Sequence, residues 1–191
     1  MPRIFTALEI PREIAFSLSM LRGGLPGARW IDPENYHLTL RFIGDVDDVL
    51  AHEIASLLDQ VDRRAFELRF DRLASFGGRR PRAVIAAAAP VAPLVELQAE
   101  LGRLMQRMGL EPEGRKFTPH VTLARLRDSS SHQVADYLSA RGPVPVSPFP
   151  VSRFVLFSSK NSVGGGPYVV EAAYPLGGVS GKQALDPERA R

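Results

Sequence analysis

The sequence predicts an α+β fold, with antiparallel sheets and helices packed outside them, on three observations. Segments that alternate apolar and polar residues interleave with segments of helical periodicity, without the regular strand-helix-strand repeat that builds a parallel sheet. A His-x-Thr-Leu tetrapeptide occurs twice, as His37-Leu38-Thr39-Leu40 and His120-Val121-Thr122-Leu123, each time in a stretch that reads as a strand. The chain of 191 residues is 45% hydrophobic and 24% charged, a balance that supports one packed core rather than a fibrous or disordered body.

The elements follow in order. Residues 3–10 alternate as a strand, and Pro11 suits the first turn of a helix that sets Ile14, Leu18 and Leu21 on one face and ends at Gly23-Gly24. Strands are predicted over 28–31 and 36–43, around the turn Asp32-Pro33-Glu34-Asn35. Leu50, Ile54, Leu57, Leu58 and Val61 recur at helical spacing, and strands follow over 66–73 and 82–88. Leu94, Leu97, Leu101, Leu104, Met105 and Met108 trace the apolar stripe of a long helix closed by Gly109. The last third predicts a strand over 120–126, a short helix over 132–140, and strands over 151–158 and 168–174. Gly164-Gly165-Gly166 reads as a flexible loop; it lacks the strand-to-helix context and the Lys-Ser/Thr of a nucleotide phosphate loop. Residues 1–176 are expected to form a single domain, and 177–191 a flexible tail.

Composition narrows the function. The longest weakly polar stretch, residues 83–95, is too short to cross a bilayer and is interrupted by Pro90 and Pro93, and the N-terminus lacks a signal-peptide pattern. A cytoplasmic protein is expected, with no membrane association and no obligate protein partner. The absence of cysteine removes disulfides, thiolate nucleophiles and cysteine metal ligands. A net charge of +3 suits an anionic substrate without the basic tracts of chromatin proteins. Arg79-Arg80-Pro81-Arg82 and Arg115-Lys116 are local basic clusters, readable as solvated loop charge or as phosphate contacts.

The repeated tetrapeptide carries the chemistry. Side chains alternate along a strand, so His37 shares a face with Thr39, and His120 with Thr122, while the leucines and Val121 face the interior. Two matched motifs suggest an internal duplication that brings both imidazoles to one groove. Such a pair suits displacement at phosphorus, where a base activates the nucleophile and an acid protonates the leaving oxygen. The threonine hydroxyls can donate to phosphate oxygens, and Arg41, on the His37 face by simple alternation, can meet the same charge. Neither motif adds a carboxylate or thiol on its histidine face, so no metal and no cofactor is expected. His52 and His132 have no motif around them and read as surface histidines.

In their longer contexts the motifs resemble a known family. Arg29-Trp30-Ile31 followed by Pro33-Glu34-Asn35-Tyr36-His37-Leu38-Thr39-Leu40-Arg41-Phe42-Ile43-Gly44 is similar to the first signature of the RNA 2′,3′-cyclic phosphodiesterases, also called 2′-5′ RNA ligases, within the two-histidine phosphoesterases. Phe117-Thr118-Pro119-His120-Val121-Thr122-Leu123-Ala124-Arg125 resembles the second, and Arg3-Ile4-Phe5-Thr6-Ala7 and Gly166-Pro167-Tyr168 also fit. The resemblance implies two pseudo-symmetric βα lobes with a central cleft, catalytic His37 and His120, and phosphate binding by Thr39, Thr122 and Arg125. On an uninterrupted strand Arg125 would leave the His120 face, so it needs a twist, a bulge or the strand's end to reach the phosphate. The implied substrate is an RNA end or nucleotide bearing a 2′,3′-cyclic phosphate, opened to a 2′-phosphate, with 2′-5′ ligation as the related displacement. The alternative is an RNA- or nucleotide-binding module that keeps the groove without turnover. Phe5, Trp30, Phe42 and Tyr168 are read as core or scaffold, one of them able to stack on a base.

Overall fold

A computed structural model describes residues 3–159 and 166–177. Gly164 and Gly165 of the expected loop, and the expected tail beyond Gly177, lie outside the described residues. In chain order the elements are β1 (Arg3–Glu9), α1 (Arg12–Ser19), β2 (Ala28–Trp30), a short 3-10 helix (Pro33–Asn35), β3 (His37–Asp45), α2 (Asp48–Leu58), β4 (Phe66–Leu68), β5 (Phe70–Phe76), β6 (Ala83–Ala88), α3 (Ala92–Arg107), β7 (His120–Leu126), α4 (Ser131–Arg141), β8 (Phe149–Val151), β9 (Arg153–Ser159) and β10 (Val169–Pro175).

Two predicted strands are each divided. Residues 66–73 become β4 and the start of β5, and residues 151–158 become the end of β8 and most of β9. The short pieces β4 and β8 pair with each other in a separate two-stranded sheet. Where the chain steps between sheets, the Arg69 carbonyl accepts from the Ala89 amide at 2.9 Å and the Ser152 carbonyl from the Leu176 amide at 2.7 Å, so neither backbone group is orphaned.

The remaining strands form one eight-stranded sheet in the order β10-β9-β1-β3-β7-β6-β5, with β2 also paired to β7. All pairs are antiparallel. The first lobe is β10, β9, β1 and β3; the second is β2, β7, β6 and β5. They join at one ladder pair, Leu38 opposite Val121. The lobes are therefore not the two halves of the chain: β1 and β3 precede β5, β6 and β7 of the second lobe, β9 and β10 follow them, and β2 reaches the second lobe from between β1 and β3.

Helices cover one face of this sheet. Pro93 sits in the first turn of α3, where a missing amide costs nothing, and Leu94, Leu97, Leu101, Leu104 and Met105 bury its apolar stripe. Asp47 caps α2 by accepting from the Leu50 amide at 2.8 Å, and Ser130 with Gln133 forms a capping box on α4. α3 packs against β3 and α2, and α4 lies against β5. The result is a core continuous through both lobes, including Leu8, Leu38, Leu40, Leu97, Leu101, Val121, Leu123 and Phe154. Two smaller apolar clusters, one of Phe5, Ala7, Val155 and Phe157 and one of Ala83, Ile85 and Ala87, stand apart from that core, on the sheet face that holds the His and Thr side chains of the repeated motifs.

Candidate active site

The junction pair fixes the site. With Leu38 opposite Val121, the same antiparallel register sets His37 across from Thr122 and Thr39 across from His120. All four side chains are half-buried, whereas Leu38, Leu40, Val121 and Leu123 are buried on the helix side. Two imidazoles and two hydroxyls thus share one sheet face.

Each motif then runs into a β-bulge. On β3, Thr39 pairs with Ala7 and Arg41 with Thr6, leaving Leu40 as the extra residue. On β7, Thr122 pairs with Ile85 and Ala124 with Val84, leaving Leu123 extra. A bulge reverses the alternation beyond it. Burial follows: both strands read half-buried, buried, half-buried, buried, buried, exposed from the histidine onward. Arg125 is thereby returned to the open face, where its charge reaches both imidazoles.

The same bulge corrects the expectation for Arg41. Its side chain is not brought to His37 but turns to the helix side, where only 4% is exposed. There it donates to the Glu111 carbonyl and pairs with Glu113 at 3.7 Å. Phe42 occupies in β3 the place that Arg125 occupies in β7. His52 and His132 are exposed and lie on α2 and α4, held by the Asp48 carbonyl at 2.6 Å and by Asp136 at 3.3 Å.

Both histidines are oriented by one device. Nδ1 of His37 meets the Asn35 carbonyl at 2.8 Å, and Nδ1 of His120 meets the Thr118 carbonyl at 2.7 Å. A carbonyl can only accept, so Nδ1 carries the hydrogen and the neutral ring keeps its lone pair on Nε2. Burial lowers the proton affinity of His37, the Asn35 carbonyl opposes this, and the charges of His120 and Arg125 lower it further. His120 is lowered by burial and by Arg125, against the opposing Thr118 carbonyl.

Aromatic rings wall the two imidazoles. His37 lies 5.1 Å from Phe5, 4.9 Å from Tyr168 and 5.9 Å from Phe157, measured between ring centroids. Phe76 meets His120 edge-on at 4.8 Å. Trp30 instead packs on Tyr137 at 5.7 Å. Sequence reasoning missed Phe76, Phe157 and the two carbonyls. The rings could be found only from strand register: Phe157 pairs with Phe5 and Phe76 with Ala83, corresponding rows of the two lobes.

Known proteins share this architecture. The fold matches a solved phosphoesterase with a TM-score of 0.73 at 24% identity, covering 93% of this chain and 99% of that one. Escherichia coli LigT, solved with 3′-AMP, matches with a TM-score of 0.73 at 26% identity, covering 92% and 99%. Proteins named RNA 2′,3′-cyclic phosphodiesterase are similar at 33% identity in Aeropyrum pernix, over 74% of this chain and 81% of the relative. One of the same name in Aquifex aeolicus is 29% identical over 78% and 82%. The family model for the 2′-5′ RNA ligase superfamily matches residues 21–162, and the chain belongs to that superfamily.

Proposed function

We propose that the cleft hydrolyses the 2′,3′-cyclic phosphate of an RNA end or nucleotide to a 2′-phosphate, by acid-base catalysis between His37 and His120 and without a metal. The observation that carries this reading is the pair of imidazoles on one sheet face, each with Nδ1 tied to a carbonyl and Nε2 left to move protons. In-line displacement needs a base on one side of phosphorus and an acid on the other. One Nε2 takes a proton from water as the water oxygen bonds to phosphorus. The other gives a proton to O3′ as the P–O3′ bond breaks, and the P–O2′ bond survives. Thr39 and Thr122 donate to the non-bridging oxygens, and Arg125 offsets the charge that builds on them.

Family membership and the names of the two relatives support the substrate, and the nucleotide held by LigT supports a cleft of nucleotide size. With an RNA hydroxyl in place of water, the same displacement forms a 2′-5′ bond. Hydroxyls, phenyl rings and a guanidinium surround the imidazoles, and among the described residues no three His, Asp or Glu side chains gather as metal ligands do. Incubation with 2′,3′-cyclic AMP tests the reading: 2′-AMP should form at an undiminished rate in excess chelator. Tight binding without product would identify a binding module instead, and activity restored only by zinc would overturn the metal-free site.

A further inference from the structure

We infer that the second lobe carries a track of guanidiniums for backbone phosphates upstream of the cyclic end, which makes a strand, rather than a mononucleotide, the preferred substrate. This rests on reading the cleft as a cyclic phosphodiesterase. Counting outward from the two His-x-Thr-Leu strands, β3 corresponds to β7, β1 to β6 and β9 to β5, so the lobes can be compared row by row. One row is Phe42, Phe5 and Phe157 in the first lobe, against Arg125, Ala83 and Phe76 in the second. The histidine row is His37 and Glu9, continued by Arg153, against His120, Ala87 and Arg72.

The charges in that second row differ. Arg153 is neutralised by Glu9 at 2.7 Å. In the second lobe Ala87 stands where the carboxylate would be, and Arg72 is exposed and forms no ion pair among the described residues. The cation sits two strand spacings, roughly 10 Å, from the strand of His120.

Beyond Phe76 and Ala83, the turn joining β5 to β6 adds Arg79, Arg80 and Arg82, all exposed and likewise without an ion pair among the described residues. The turn has a fixed shape. The Arg80 amide donates to the Gly77 carbonyl at 3.0 Å, the Arg82 amide to the Phe76 carbonyl at 2.7 Å, and the Leu126 amide to the Arg82 carbonyl at 2.8 Å. A side chain at Gly77, whose φ is 108°, would come within 2.2 Å of the Arg80 carbonyl, so only glycine lets this turn close. The last of those bonds ties the turn to the strand end that bears Arg125. Elsewhere Arg3, Arg41 and Arg63, like Arg153, are each paired with a carboxylate. A cyclic mononucleotide has one phosphate to offer; only a strand brings more of them to Arg72 and the turn.

The test compares kcat/KM for 2′,3′-cyclic AMP and for an unstructured RNA oligonucleotide ending in a 2′,3′-cyclic phosphate, across a salt series. The wild type should prefer the oligonucleotide at low salt. Changing Arg72→Gln, Arg79→Gln and Arg80→Gln together should lower the oligonucleotide value about 10-fold or more. It should also reduce the slope of its logarithm against log salt by about 2, from about 0.7 per phosphate contact on a single strand. Turnover of cyclic AMP should be unchanged, which also reports an intact fold. If the triple variant is unstable, each single variant should still lower the slope by about 0.7. Arg103→Gln with Arg107→Gln, on α3, is the charge control for the double variant Arg79→Gln with Arg80→Gln, which should lower the slope by about 1.4. Equal values for the two substrates in the wild type, or an equal loss in the α3 control, would overturn the track. Failure of the wild type to open cyclic AMP would overturn the cyclic phosphodiesterase reading instead, and the oligonucleotide's binding in the same salt series would still report on the track.

Discussion

His37 and His120 are governed by burial and by the charge of Arg125, and both influences disfavour the protonated ring. Each imidazole therefore takes up its proton at a lower pH than free histidine, which titrates at about 6.5. The bell of kcat/KM against pH should therefore peak below about pH 6.5, and the bound phosphate anion should move the kcat profile upward. Replacing Arg125 with Gln should raise the pH at which both rings titrate, read from their imidazole proton resonances in NMR. Because the unfolded rings bind protons that the folded ones refuse, these two residues also stabilise the fold above about pH 6.5, and that contribution fades as the pH falls below it. His37→Ala and His120→Ala should each lower turnover roughly 10²- to 10⁴-fold with the fold retained, and near-normal activity in either would sink the acid-base pair. The histidines and threonines are legible in the sequence because residue type and spacing alone put them on one strand face. The arginines are not, since Arg41 and Arg125 exchange roles through an inserted residue that no side chain announces.

At the scale of elements, the loop entering β10 closes on the loop entering β3. A side chain at Gly166 would run into the Asn35 amide group at 2.1 Å, and the backbone there has φ of 93°. The Asn35 carbonyl holds His37, and Tyr168 lies against the same ring. Gly166→Ala should thus misplace the imidazole and cost about 10- to 100-fold in kcat/KM, with little change in thermal stability. A shifted His37 resonance at unchanged Tm would distinguish this from unfolding. Helices were the legible elements, since the apolar stripe of α3 is continuous in sequence and its burial follows the stripe. Strand limits were less so. Residues 66–73 and 151–158 each read as one strand, yet pairing between β4 and β8, far apart in the chain, divides both.

The whole molecule is joined where Leu38 meets Val121, and its core runs unbroken beneath that seam. Leu38 is fully buried, so Leu38→Ala should cost about 2–5 kcal/mol. For a chain of this size that lowers Tm by roughly 4 to 20 °C. Unfolding should remain a single calorimetric transition, and two separate transitions would mean that the lobes are independent. The repeat of His-x-Thr-Leu makes the two lobes legible but not their composition, because strand order is decided by contacts that sequence spacing does not record. That order has a consequence for synthesis. A ribosome delivers β1 and β3 before β5, β6 and β7, whereas β9, the other neighbour of β1, follows all of them. Until Phe157 and Tyr168 emerge, the ring of His37 lacks two of its three aromatic neighbours and the edge of β1 lacks its partner strand. A nascent chain that already carries both histidines still lacks the wall around His37, and its unpaired β1 edge is open to association with other chains until β9 pairs with it.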